Sequence, residues 1–343
     1  MHWLNCGIKS LSCYVPEGRL SVGNLHRVWG KLSTSSATKS VPSFDEDATT
    51  LATTAARRLR KNGADKSVVD CVWVGSESKP YAVKTSAATV ASCLGLSNSI
   101  GAADIEFACR GAIEAMLRLS SSIETGSLSQ ALVVASDCAQ APPGDPLEAT
   151  ASAAAVALVL AQSEECPIQI SQSCFFVTDT TDFHRRDGQK FPTHANRFTG
   201  VPAYFHHVTS AVNSFFEKTN SQTEDFRYVV FHQPNQRFAK RVGSRLGFNQ
   251  DQIAPVLFAN RIGNPHAANV FVGIAQAVSL ADTGDKILVA SYGSGAGSDA
   301  FAIKMNRPFQ LDSASAKDLA LDGQLIESYS EYMIHTRQLV RGQ

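Results

Sequence analysis

Hydrophobic residues fall into short continuous runs separated by helical stretches, and the two alternate along most of the chain. Residues 4–14 lean weakly apolar and predict a first strand. Stretches 69–75 (Val69-Asp70-Cys71-Val72-Trp73-Val74-Gly75) and 130–136 (with Ala131-Leu132-Val133-Val134-Ala135) predict strands buried on both faces. Tyr228 to Phe231 and Lys286 to Ser291 repeat that pattern, and Ala300 to Lys304 predicts a last strand. Between the strands, Leu51, Ala55, Ala56 and Leu59 recur at helical spacing within 45–61, and Asn62-Gly63 reads as the stop. Further helices are predicted over about 86–94, from Cys109 to about Ile123, and over 208–218, 238–246 and 264–281. The run from Ala151 to Ala161 fits a strand or a buried helix equally well, since period cannot separate them. Ser/Thr-rich Lys31 to Ser43 is expected to be a loop or lid, Pro142 to Pro146 a turn, and the polar tail beyond Asn306 to hold at most a helix.

The alternation is duplicated. Glu77 stands 32 residues before Cys109, and His232 stands 32 before Asn264; Ser136 and Ser291 each follow 27 residues later. One offset of 155 therefore maps 77, 109 and 136 onto 232, 264 and 291. Leu132-Val133-Val134-Ala135-Ser136 matches Ile287-Leu288-Val289-Ala290-Ser291 locally. Such a period is too long for a solenoid and implies two copies of one βα unit. Packed about a pseudo-twofold axis, they would bring Glu77, Cys109, His232 and Asn264 together.

Composition narrows the class. At 343 residues and 44% hydrophobic, the chain can form two core-sized halves, expected at 1–165 and 166–343 plus the polar tail. Zero formal net charge argues against a nucleic-acid partner. Eight scattered cysteines without C-x-x-C spacing read as reduced thiols in a cytoplasmic protein and give no zinc pattern. No cleavable signal is evident, and Ala151 to Ala161 is too short to span a bilayer, so a soluble protein without membrane contact is expected. His206 and His207 are adjacent, so their rings diverge, and no metal is expected. The loop Gly293-Ser294-Gly295-Ala296-Gly297 lacks a third fingerprint glycine at 298 and precedes a strand; close backbone approach to the site explains it better than a dinucleotide.

A thiol, an imidazole, a carboxylate and an amide at one site describe covalent acyl transfer. Cys109 is the candidate nucleophile, its pKa expected to be lowered by the helix start that follows it and by His232. Glu77 can move a proton on or off carbon or oxygen, and Asn264 can steady an oxyanion. A Cys–His pair alone also serves proteases and transglutaminases. The added Glu, placed by a duplication, suits carbon–carbon condensation on thioesters better than hydrolysis.

These residues carry a resemblance. Val74-Gly75-Ser76-Glu77-Ser78-Lys79-Pro80, Glu106-Phe107-Ala108-Cys109, Ser136-Asp137-Cys138-Ala139-Gln140 and Asp182-Phe183-His184-Arg185-Arg186-Asp187-Gly188 are four of its motifs. Arg197-Phe198-Thr199-Gly200-Val201-Pro202-Ala203-Tyr204-Phe205, His232-Gln233-Pro234-Asn235 and Ser291-Tyr292-Gly293-Ser294-Gly295-Ala296-Gly297 complete the set in order. In them the chain resembles the 3-hydroxy-3-methylglutaryl-CoA synthases of the thiolase superfamily, most closely the short archaeal type. The resemblance implies an α/β, thiolase-like αβαβα layered fold built from two duplicated βα halves. It implies Cys109 as acyl acceptor, Glu77 as general acid/base, His232 as partner of the acetoacetyl substrate, and Asn264, Ser294 and Gly295 as substrate contacts. Acetyl-CoA and acetoacetyl-CoA would be substrates, with no further cofactor. A homodimer is implied, and association with a thiolase and a small OB-fold protein less directly.

The departures are local. Gly263-Asn264 is followed by Pro265-His266-Ala267-Ala268 where the family pattern has Thr-Tyr-Ser-Gly, Ala149 stands where an aromatic is usual, and Arg110 replaces a lysine. They leave open a relative with a different acceptor, whereas a non-catalytic subunit would not need Cys109, Glu77 and His232 together.

Overall fold

The computed structural model describes residues 1–32, 36–59, 69–139 and 141–339. The helix stop read at Asn62-Gly63 lies outside them. Among the described residues the centre is a ten-stranded sheet. Its order is Tyr228–Phe231, Lys286–Ala290, Gly295–Met305, Ile168–Ser171, Trp3–Tyr14, Ala153–Ala161, Ala131–Cys138, Cys71–Gly75 and Gly101–Ile105, with Cys174–Thr180 paired to Gly295–Met305 off that path. Ala151 to Ala161 is thus resolved as a strand, its nine residues from 153 all buried. Its place between two strands, with helices over both faces, requires that continuous run.

Side-chain alternation builds five layers. Val72, Val74, Leu132 and Val134 pack on one side against helices Ala48–Leu59 and Ser86–Cys93. Cys71, Ala131, Val133 and Ala135 point the other way, into a core shared with helices Gly111–Glu124 and Asn269–Leu280. Val230, Ile287, Val289 and Phe301 of the second half meet those same two helices. Val229, Phe231, Leu288 and Ala290 turn outward to helices His206–Thr219 and Gln236–Leu246. A strand has period two, so each half-sheet must be covered twice, and the central helices serve both. Trp3–Tyr14, antiparallel to Ile168–Ser171, joins the two half-sheets by hydrogen bonds. Within the ten-stranded sheet, parallel pairing is confined to 71–75 with 101–105 and 131–138, and to 228–231 with 286–290. These are the strands whose ends carry the candidate chemistry.

The 155-residue offset holds at most of the copied positions. It carries strand start Ala131 to Lys286 and helix start Gly111 to the short 3-10 turn His266–Ala268, which runs into Asn269–Leu280. It also carries Ala108 (φ 42) to Gly263 (φ 78), both in the left-handed region immediately before the copied positions 109 and 264. At the strand before the site it slips by one. Gly75 pairs with Ala135, but Phe231 pairs with Ala290, so His232 corresponds to Ser76 and not to Glu77.

Elsewhere the expected loop or lid at 31–43 contains strand Thr38–Val41, antiparallel to Gly18–Ser21. The tail is more structured than expected and returns to the first half: Gln324–Ile326 pairs with Gly18–Ser21, and Asp318 bonds Arg58 at 2.7 Å. No helix of the described residues is long and apolar enough to cross a membrane.

Candidate active site

Glu77 and Cys109 come together from the ends of neighbouring parallel strands. Strand Cys71–Gly75 ends in a turn whose geometry is set by Asp137, a fully buried residue of strand Ala131–Cys138. Its Oδ1 accepts from Ser76 Oγ (2.9 Å), Glu77 N (2.9 Å), Ser78 N (3.0 Å) and Ser78 Oγ (2.6 Å). Its Oδ2 accepts from Ala267 N at 2.7 Å, tying this turn to the one from the second half. Burial, and then the nearby Glu77 charge, push the Asp137 carboxyl up to about 6.

Cys109 follows strand Gly101–Ile105 and precedes helix Gly111–Glu124, whose N-cap is Arg110. The loop 293–297 presses against this turn: a Cβ on Gly293 would lie 2.5 Å from the Phe107 carbonyl oxygen and from Arg110 Cβ. Arg110 is held in turn by buried Asp299 through two 2.7 Å bonds. Cys109 Sγ lies 3.5 Å from Glu77 Oε2. The expected lowering of its pKa is not what this position produces. Burial, followed by the charges of Glu77 and Asp137, pushes the thiol well up, and these outweigh a helix that begins two residues later.

The third group in contact is His266, a residue the repeat did not place. Its Nδ1 is 2.6 Å from Glu77 Oε1 and 3.5 Å from Cys109 Sγ. Burial lowers the imidazole pKa, but the Glu77 charge and hydrogen bond, with Asp137 behind them, carry it above its ordinary value. Burial would raise Glu77; His266, the Cys109 hydrogen bond and Arg185 instead hold it below the usual carboxylate range. A sequence signal for His266 existed only as the Pro265-His266 departure from the family pattern.

His232 is not one of the groups bonded to the thiol. It makes no hydrogen bond to Cys109 among the described contacts, and its ring is 6.4 Å from that of Tyr204 and 6.2 Å from that of Tyr292. Its Nδ1 is buried without a partner. Burial, then the charge of His266, push it down to about 3, so it is a neutral imidazole with a free ring nitrogen. Asn264 buttresses the histidine turn: its Oδ1 accepts from His266 N at 3.1 Å and Asn269 Nδ2 at 2.7 Å. Asn269 also bonds both the N–H and the carbonyl of Gln233, linking the 264–269 turn to the loop after His232. Ser294 hydrogen-bonds Tyr292, while the Gly295 N–H donates to Asp182 at 2.9 Å and is therefore already engaged.

Glu77 also lines a cavity of about 340 Å³ with Lys79, Arg185, Lys190 and Arg337 along its walls. Cys109, 6% exposed, is not among the lining residues. The ligand atoms of Glu77, Cys109 and His266 lie within 4.8 Å of one another, the one grouping among the described residues able to hold a metal ion. At 2.6 Å, however, Nδ1 and Oε1 share a proton that a metal would have to displace. The arrangement is better suited to moving protons between a thiol, a carboxylate and a covalently held acyl group.

Residues 216–305 match the family of 3-oxoacyl-[acyl-carrier-protein (ACP)] synthase III C-terminal regions. The hydroxymethylglutaryl-CoA synthase of Methanobrevibacter smithii is 40% identical over 341 residues, covering 96% of this chain and 97% of that protein. That of Archaeoglobus fulgidus is 42% identical, covering 87% and 89%. Among solved structures, an HMG-CoA synthase complexed with CoA superposes with a TM-score of 0.88 at 21% identity, covering 96% of this chain and 90% of that one. The curacin-pathway HMG synthase in complex with holo donor-ACP gives 0.82 at 20% identity, covering 97% and 89%. At such identities the structures speak for the fold, which is thiolase-like.

Proposed function

The chain belongs to the hydroxymethylglutaryl-CoA synthase family, and from that premise we propose that Cys109 carries the acetyl group and Glu77 makes it a carbon nucleophile. It is an acyl-CoA condensing enzyme. The Cys109 sulfur attacks the carbonyl of acetyl-CoA, the new C–S bond forms, and CoA leaves with the thiol proton. Glu77 then removes a proton from the methyl of acetyl-Cys109, and the resulting carbanion adds to the ketone of acetoacetyl-CoA. The alkoxide takes a proton back, and water hydrolyses the Cys109 thioester to release 3-hydroxy-3-methylglutaryl-CoA.

The observation that carries this reading is the Cys109–Glu77 contact of 3.5 Å at converging strand ends. His232, neutral with an unpartnered buried Nδ1, suits a hydrogen bond to the acceptor's thioester or ketone oxygen. Arg185, Lys190 and Arg337, which share the cavity wall with Glu46 and Asp47, suit the phosphates of CoA. Mixing the protein with acetyl-CoA should add one acetyl group, lost in Cys109→Ser. Adding acetoacetyl-CoA should then yield 3-hydroxy-3-methylglutaryl-CoA; an unacetylated protein would refute the reading. The altered 265–268 turn and Ala149, both buried, favour a second reading with another acceptor. Acetylation without product from acetoacetyl-CoA would select it.

The two halves, 1–165 and 166–343, are read as copies of one unit. Strand Gly101–Ile105 ends the sheet with Gly101 and Ala102 exposed, which supports a homodimer formed by joining two such edges. A thiolase and a small OB-fold protein are proposed as further partners on the family resemblance. Exposed, unpaired Cys93 supports a reducing, cytoplasmic setting.

A further inference from the structure

We propose that His266 is a catalytic residue of the acylation half-reaction, the imidazolium beside which Cys109 becomes a thiolate. This rests on the covalent-acetyl reading above and assigns the cation to His266, not to His232.

Charge around the thiol makes the need plain. Cys109 is buried next to two carboxylates, Glu77 and Asp137, each of which opposes a negative sulfur. His266 is the cation in contact with it: Nδ1 lies 3.5 Å from Sγ, a normal separation for N–H···S, and 2.6 Å from Glu77. The titratable groups facing His266 come from every neighbouring element. They are Glu77 after strand 71–75, Cys109 before helix 111–124, Asp137 on strand 131–138 and His232 after strand 228–231. Arg185 sits behind Glu77, donating to its carbonyl at 3.4 Å. His232 cannot supply the cation, since it is neutral and makes no hydrogen bond to the sulfur among the described contacts. The 266 turn is built to hold the ring: Asn264 Oδ1 takes its backbone N–H, Asp137 takes that of Ala267, and His266 itself adopts φ 44.

The proton balance closes within the three groups. At rest they hold thiol, imidazolium and carboxylate. The Sγ–H bond breaks and its proton goes to Glu77 Oε2, while the His266 Nδ1–H turns from the now neutral carboxyl to the sulfur anion. The sulfur pair forms the C–S bond to the acyl carbon, the bond to the CoA sulfur breaks, and that sulfur leaves with the proton from Glu77. Glu77 is again a carboxylate, ready for the methyl proton. The resting and reactive forms hold the same number of protons, so the reactive fraction is level across neutral pH.

Alkylation by limiting iodoacetamide, followed by peptide mass, reads the thiolate without any thioester. In the unmodified protein Cys109 should react at a level rate between about pH 6 and 8, while exposed Cys93 climbs toward an ordinary thiol midpoint of about 8.5. His266→Gln should slow Cys109 at pH 7 by roughly tenfold or more, the loss continuing to narrow as the pH is raised. Acetylation from acetyl-CoA should fall with it, whereas in Glu77→Ala His266 takes the thiol proton directly and acetylation persists. An unchanged profile in His266→Gln overturns the proposal. If that variant does not fold, a wild-type Cys109 rate that climbs in parallel with Cys93 overturns it equally. A wrong acceptor assignment would abolish condensation while leaving both alkylation results in place, so the two readings fail separately.

Discussion

At the scale of single residues, the proposed mechanism sends two protons with different destinations through one small site. Acetylation needs a sulfur anion, which His266 can support alone; the carbon–carbon bond needs a base for a methyl proton, and Glu77 is the carboxylate in reach of Cys109. Glu77→Ala should therefore keep acetyl-enzyme formation and lose condensation by about 100-fold or more, the scale for removing a general base. Separate measurement of acetyl-enzyme and product checks this, and loss of both together would mean that His266 does not take the thiol proton when Glu77 is absent. His232 gives a prediction for pH. Its folded pKa of about 3 lies below the ordinary value of 6.5, so between those limits the unfolded chain binds the extra proton. The fold therefore loses stability as pH falls from 6.5 toward 3, by up to about 1.4 kcal/mol per unit from this group. In denaturant titrations His232→Asn should flatten that acid limb; an unaltered slope would place the charge-sensitive group elsewhere.

At the scale of elements, the site depends on how turns lean on one another. Asp137 accepts from the Glu77 turn with one oxygen and from the His266 turn with the other. Asp137→Ala would leave several buried donors unpaired, at about 1–3 kcal/mol for each that water cannot reach. It should lower the unfolding midpoint and cost acetylation as well as condensation, since both turns shift. The glycine loop acts from the opposite side. Phe107 and Arg110 leave no room for a Cβ at 293, and the doubly bonded Arg110–Asp299 pair prevents easy adjustment. Gly293→Ala should destabilise the protein by about 1–3 kcal/mol, the usual cost of overpacking, and slow acetylation. A variant with wild-type melting and acetylation would show that the 107–110 turn can yield.

At the scale of the whole molecule, two half-sheets share a central pair of helices, and one outer edge is left open at Gly101–Ile105. An edge strand exposes unpaired backbone groups, and joining two copies there would place Cys109, a few residues beyond, next to the seam. Sedimentation velocity should find a species of twice the 36.7 kDa chain mass. Ala102→Lys, at an exposed edge position, should shift it toward monomer; a wild-type monomer would remove the edge-to-edge arrangement.

What the sequence determined by itself was whatever local pattern or chain-order motif can encode. Continuous apolar runs marked the buried strands, helical spacing marked Ala48–Leu59 and Gly111–Glu124, and Glu77 and Cys109 stood out by motif, Cys109 also by the offset to Asn264. Elements without their own apolar period escaped: Thr38–Val41 is a strand because Gly18–Ser21 pairs with it, and its Lys39 is buried because the Glu148 carbonyl and the Tyr332 hydroxyl receive it. The one-residue slip at His232 was equally invisible, since pairing register is set between strands and not within one. His266 is the clearest case. It meets a sulfur 157 residues away, and no periodicity carries a contact of that range. The tertiary structure decided it, by packing the Glu77 turn of one half and the His266 turn of the other against Asp137 so that their side chains converge on one buried thiol.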